Sequence, residues 1–384
     1  MTEKERLKSG AVFGFFETMM DAFSMLIPAF YFSSLNITIV IYAFLISITD
    51  IFSFSMKPFV GFLTDRYGER KFLLASSIIF IASLFLIGLT ADVFTITVLR
   101  IVGGVAEALL FILIIIYGLR KVREKPDRKV GWFNSVYNIG WILGMLIPGF
   151  FVDKFGISSG FYLILAVGLI FLVSIFRLTK KSKIKNIKIK PSFSFLKKIP
   201  LLVVYKTMDI ATFTAFLYFF TRYGLKTLGL SRSMISIVVV IEIIAFVLTN
   251  YLIGRISSKS RRRFWIPLTV VFHLLGAIGM IFASTLIHYF IAAAFIGIAG
   301  GFIDIWLLSH ISETVKEKEK GKFLGTYGWS FDLATVVGTQ IPLLFILLNL
   351  NQFASLLVFP AVIGIAYIIN KLIITRNDGY GRIQ

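Results

Sequence analysis

Eight carboxylates interrupt stretches that are otherwise apolar: Glu17, Asp21, Asp50, Glu107, Asp209, Glu242, Asp304 and Asp332. Three bases accompany them, Lys57, Arg100 and Lys206, which leaves an acidic excess. At bilayer depth an ionisable side chain costs at least about 2.5–3.5 kcal/mol, so each needs a proton, a partner or a polar cavity. A set of this kind suits the uptake of protons or of an organic cation. Spacing sorts its members. Glu17 and Asp21 are four residues apart and share a helical face. Arg100 and Glu107 are seven apart, on one face but roughly 10 Å apart along the axis, so they line one path without touching. Lys206 and Asp209, three apart, suit a local salt bridge. Lys57 stands near the end of its apolar run and is expected to reach out to water as a structural residue. His273, His288 and His310 show no metal-ligand spacing, and Cys is absent, which removes thiolate metal sites, disulfides and a cysteine nucleophile.

The elements that must position these groups are long and apolar. Of 384 residues, 57% are hydrophobic and 16% charged, with a mean hydropathy of +0.87; a soluble domain averages about 25% charged. Runs of about 20 apolar residues recur, each long enough for a hydrocarbon core of about 30 Å. The expected spans are 10–34, 37–62, 72–90, 94–118, 131–152, 159–178, 200–223, 231–255, 264–285, 288–310, 322–348 and 352–374. The first is too long for a signal peptide and carries two acids. The expected fold class is therefore all-α, a polytopic membrane protein with twelve transmembrane helices. Counting 1.5 Å per residue puts Asp21, Asp50 and Glu107 near the midplane, roughly 15–20 Å from their helix ends.

A net charge of +20 would suit nucleic acid, but its placement argues for a membrane instead. Lys and Arg concentrate in alternate connections, as orientation in a membrane requires. The basic segments are the N-terminus, 65–71, 119–130, 177–198, 254–263, 316–322 and the C-terminal tail, whereas the turns near 35, 92, 286 and 350 have neither residue. Both termini are thus expected in the cytoplasm. The longest hydrophilic connection, 177–198, falls at mid-chain, giving an N-terminal bundle (1–178), a cytoplasmic linker (179–198) and a C-terminal bundle (199–384).

One polar island stands out, Gly61-Phe-Leu-Thr-Asp65-Arg66-Tyr-Gly68-Glu-Arg70-Lys71. Its glycines permit a sharp bend, and Asp65 falls where helix ends expose N–H groups. The pattern Gly-x-x-x-Asp-Arg-x-Gly-x-Arg-Lys resembles the signature loop between helices 2 and 3 of the major facilitator superfamily of secondary transporters, with every signature position filled. Gly254 and the basic residues Arg261, Arg262 and Arg263 form a degenerate second copy, with Ser258 in place of the aspartate. Arg100-Ile-Val-Gly-Gly104 resembles the family's helix-4 pattern, whose Arg is linked to proton movement. Gly140-Trp-Ile-Leu-Gly144-Met-Leu-Ile-Pro148-Gly149 resembles the helix-5 pattern of antiporters, with Met145 in place of the usual Pro and Pro148 where Gly is usual.

The resemblance implies two pseudo-symmetric six-helix bundles with a substrate site between them near the midplane. It also implies a conformational latch at Gly61, Asp65, Arg66, Gly68, Arg70 and Lys71. The function expected is alternating-access transport, proton-coupled and directed to export of small amphipathic or cationic organic compounds. Proton coupling and the substrate cavity are assigned to Glu17, Asp21, Asp50, Arg100, Glu107, Lys206, Asp209, Asp304 and Asp332. Two alternatives stay open: proton-coupled uptake of a sugar, organic acid or other metabolite, and lipid translocation. An enzyme is not expected, because the ionisable groups are scattered at mid-depth over many helices, and no phosphate-binding Gly-x-x-x-x-Gly-Lys-[Ser/Thr] loop is present. The partners expected are a small-molecule substrate, protons and the bilayer of the plasma membrane, for a monomer with no cofactor, no metal and no nucleic acid.

Overall fold

The computed structural model describes residues 3–67, 69–119, 126–179, 200–256, 264–314 and 320–381. Among them are twelve α-helices: α1 (Glu3–Ser34), α2 (Ile39–Tyr67), α3 (Glu69–Ile87), α4 (Val93–Leu119), α5 (Pro126–Phe155), α6 (Ile157–Leu178), α7 (Pro200–Lys226), α8 (Arg232–Ile256), α9 (Trp265–Ile281), α10 (Leu286–Thr314), α11 (Lys320–Leu347) and α12 (Val358–Gly381). Ten contain a stretch long and apolar enough to cross a membrane. The other two depart for physical reasons. α9 has 17 residues, ending earlier than the expected 285. α7 is long enough but carries Lys206, Asp209 and the threonines 207, 212, 214 and 221, and every one of these side chains is buried. Its polarity is turned inward, so hydropathy alone understates it.

Local chemistry sets the helix ends. Between α5 and α6, Gly156 has φ 86°, a left-handed turn that favours glycine. Before α4, Asp92 Oδ2 accepts the Thr95 N–H at 2.7 Å and the Thr95 hydroxyl at 2.6 Å. These bonds, the hydroxyl's first, hold the Asp92 carboxyl below its usual range. The stabilisation is in full force above the ordinary carboxylate pKa and is lost as pH falls through the lowered one. The expected span 352–374 begins as a 3₁₀ turn, Gln352–Leu357, where the Asn351 side chain accepts the Phe353 N–H at 2.9 Å.

Packing divides the chain into two compact units, one of Met1–Phe193 with Phe220–Val240 and one of Ser194–Phe219 with Ile241–Gln384. In the first, α1 lies along α5, α4 along α2 and α3, and α6 against α1 and α3. Small residues set these approaches, as expected where lipid offers no hydrophobic drive between helices. A Cβ on Gly104 of α4 would run into the Thr49 carbonyl of α2. In the second unit α9 packs on α10 and α12, around a core of Tyr205, Ile266, Ile303 and Ile363.

Candidate functional site

The first unit gathers four acids. Glu17 is 3% exposed, and the Tyr137 hydroxyl of α5 bonds its carboxyl. Asp21, one turn on, is half-buried. Carboxylate oxygens of Asp50 on α2 and Glu107 on α4 lie within 4.8 Å of each other. The charges bearing on Asp21 are those of Glu107, Glu17, Asp50 and Lys57. Residues far apart in sequence thus form one electrostatic group on α1, α2 and α4. Among the described residues of this unit the sequence reasoning undervalued two members. One is Tyr137, which lacks a charge to draw attention. The other is Lys57, which is 7% exposed and does not reach outward.

Arg100, expected beside a proton path, is held by backbone carbonyls. It is buried, with Nε donating to the Leu45 carbonyl at 3.0 Å and Nη2 to the Ile46 carbonyl at 3.0 Å, both on α2. Nη1 donates to the Ser24 carbonyl of α1 at 3.3 Å. That carbonyl is available because residue 28, which would return the helical N–H to Ser24, is proline. Arg100 and Glu107 line one narrow crevice with Thr49 and Gly103. The guanidinium fork therefore ties three helices together by their backbones. Arg100→Lys is expected to keep the charge yet lose at least one of these bonds, each worth about 1.5–3 kcal/mol for an ionised donor. The check is thermal unfolding in detergent: the lysine variant melts below the parent, and equal melting would mean that the carbonyl bonds carry no stability.

The helix-5 glycines have two partners. Cβ atoms on Gly140 and Gly144 would meet Phe15, Thr18, Met19 and Ala22 of α1, whereas one on Gly149 would meet Arg232 and Ser236 of α8. Pro148 is buried within α5. One turn beyond the motif, Asp153 caps α8. Its Oδ1 accepts the Arg232 N–H at 3.1 Å and its Oδ2 the Ser233 N–H at 2.8 Å. A carboxylate on a helix N-terminus is the arrangement anticipated at Asp65. On α7, Arg222 Nη2 donates to the Ile37 carbonyl at 3.0 Å and its guanidinium lies 4.9 Å from the Tyr42 ring. Of the latch residues, Gly68 lies outside the described residues, and of Gly61, Asp65 and Arg66 only the helical backbone is described. Arg70 donates to the Phe176 carbonyl at 3.3 Å, meeting the C-terminal end of α6, and Lys71 is exposed. In the second copy, the Gly254 side-chain position and residues 257–263 likewise lie outside the description, as does the 180–199 part of the linker.

The second unit has its own polar knot. Lys206 Nζ lies 3.1 Å from Asp209 Oδ2 on its own helix and 3.0 Å from Asp304 Oδ1 on α10. Asp209 Oδ1 faces His273 Nε2 of α9 at 3.5 Å, and the imidazole is fully buried. Phe246 and Phe331 rings lie 5.8 and 5.9 Å from the ammonium. Glu242 on α8 is buried and feels the charges of Asp209 and Lys206. Asp332 is buried on α11. The pair Lys206–Asp209 was visible in the sequence; Asp304 and His273 join it only through packing.

The twelve α-helices among the described residues, ten of them long and apolar enough to cross a membrane, bury polar clusters along their length, as a multi-pass membrane protein does. The sequence matches the profile of the Major Facilitator Superfamily over residues 9–339 and again over 210–378, and the chain belongs to that family. It is 24% identical to multidrug resistance protein 2 of Bacillus subtilis (strain 168) over 334 residues, 80% of each chain. It is 29% identical to multidrug resistance protein MdtG of Proteus mirabilis (strain HI4320) over 186 residues, 44% of each. A 119-residue stretch, 29% of this chain and 25% of its relative, is 29% identical to the arabinose-proton symporter of B. subtilis. In fold it resembles the crystal structure of the nucleoside transporter NupG, with a TM-score of 0.72 at 13% identity, covering 96% of this chain and 98% of that one.

Proposed function

We propose that this transporter works by alternating access and exports small amphipathic or cationic organic compounds in exchange for protons. The observation that carries the reading is the group of Glu17, Asp21, Asp50 and Glu107 in the first unit, an acidic surplus suited to an organic cation or to protons. The names of the multidrug resistance relatives support the same substrate class. Lys206, Asp209, Asp304 and Asp332 are a second set of candidate coupling groups, and the 61–71 motif is the candidate latch. The protein is proposed to act as a monomer in the plasma membrane with both termini cytoplasmic.

The test uses purified protein in liposomes with an imposed pH gradient. Tetraphenylphosphonium is expected to accumulate against its own gradient, and a protonophore should collapse the accumulation. The second reading, proton-coupled uptake of a metabolite, draws on the similarity to the arabinose-proton symporter. It replaces the first if no organic cation in a panel moves while a sugar or nucleoside does, with proton flux in the same direction.

A further inference from the structure

Lys57 has the sequence position of a residue that reaches for water, near the end of an apolar run, yet it is 7% exposed. Its Nζ lies 4.9 Å from the centroid of the Phe111 ring. Phe111 is four residues past Glu107 on α4, so the ammonium lies along the face of α4 that carries that acid. On α2 itself Lys57 is seven residues past Asp50 and shares its face. Lys57 also bears on the carboxyls of both Glu17 and Asp21, in each case alongside Glu107. The other buried base of this unit, Arg100, is committed to the carbonyls of Ser24, Leu45 and Ile46.

We infer that Lys57 is the tethered counter-ion of the four acids, a positioning residue that sets how readily they take up a proton or an organic cation. The inference rests on the proposed cation and proton exchange and deepens it. Within the first unit, the groups bearing on these carboxyls are Glu17 and Asp21 of α1, Asp50 and Lys57 of α2, Arg100 and Glu107 of α4, and the Tyr137 hydroxyl of α5. Without Lys57 more of the mutual repulsion of the acids must be relieved by protons, so the group binds protons more tightly. With Lys57 present, some negative charge is kept available, and an arriving cation competes with the ammonium for it. The flexible four-carbon stem lets the ammonium withdraw while the Phe111 face gives it a resting place away from water. Arginine at this position preserves the charge; methionine preserves the apolar stem alone.

The test begins without substrate. Infrared spectra of the purified protein follow the C=O stretch of protonated carboxyl side chains through a pH titration, in the parent, Lys57→Met and Lys57→Arg. The midpoint is expected to rise by about one pH unit or more in the methionine variant and to stay near the parent's in the arginine variant. Tetraphenylphosphonium binding, measured across the same pH range, should show the same upward displacement, because protons then compete at higher pH. If the parent does not bind this cation, the export reading fails while the infrared titration still decides the role of Lys57. An unmoved midpoint in a methionine variant that melts like the parent overturns the inference, as does an arginine variant that shifts as far as methionine. Should methionine prevent folding, Lys57→Gln is titrated in its place with the same two outcomes.

Discussion

Replacing Lys206 with methionine is expected to cost about 3–5 kcal/mol of stability, the range for removing one partner of a buried ion pair. The reason is the geometry of the knot. One ammonium serves both Asp209 at 3.1 Å and Asp304 at 3.0 Å, on two helices, and all three side chains are buried. Methionine fills nearly the same volume, so the loss reports charge rather than a cavity. It leaves two buried carboxylates without their ammonium, and the His273 imidazole, whose Nε2 stands 3.5 Å from Asp209, offsets them only if protonated. Thermal unfolding in detergent is the measurement, and the decisive comparison is the neutral triple variant Lys206→Met, Asp209→Asn, Asp304→Asn. It should recover most of the loss, since a buried pair replaced as a whole is often neutral. A single variant that melts like the parent would mean that the two acids are already protonated and do not depend on Lys206.

How much of this was legible in sequence depends on whether the information is local. The apolar runs located twelve helices because run length and breaks are local properties, and even polar α7 starts at its expected residue and ends three residues beyond its expected span. Helix starts shifted where a side chain intervened, as at Asn351, whose amide closes a 3₁₀ turn before α12. Counting residues along each helix placed Asp21, Asp50 and Glu107 at one level; the structure brings the Asp50 and Glu107 carboxylates within 4.8 Å and sets both charges against Asp21. Rotation about the helix axis was not accessible, because it is set by what packs alongside. Lys57 therefore read as outward-reaching and is buried. Arg100 read as a charge lining one path with Glu107, and its backbone-carbonyl partners, one of them freed by Pro28 on another helix, gave no signal in the sequence. Asp153 gave no signal at all, since the N–H groups it caps belong to Arg232 and Ser233, some 80 residues on. The same limit hid His273: an isolated histidine in an apolar run acquires chemistry only when α9 sets it against Asp209.

Asp21→Asn is expected to abolish gradient-driven accumulation, bringing it to the equilibrium ratio, while leaving substrate binding and energy-independent exchange in place. A proton carrier must load and unload at the pH of either side, so its carboxyl needs burial and like-charged neighbours, yet freedom from a fixed partner. Among the four acids of the first unit Asp21 meets these conditions most fully. Glu17 is nearly inaccessible and held by the Tyr137 hydroxyl, whereas Asp21 is half-buried and bears the charges of Glu107, Glu17 and Asp50, with Lys57 as the smallest influence. Glu107 is the second candidate, because it bears on both α1 acids and its oxygens approach Asp50. The measurement is tetraphenylphosphonium accumulation under a pH gradient, set beside its binding without one. Asparagine removes the titrating group but keeps the side chain's size, so binding without accumulation separates lost coupling from lost fold. If Asp21→Asn, Glu107→Gln and Asp50→Asn each accumulate as the parent does, no one of them is required. The coupling group must then lie among Asp209, Glu242, Asp304 and Asp332, or the coupling ion is not a proton.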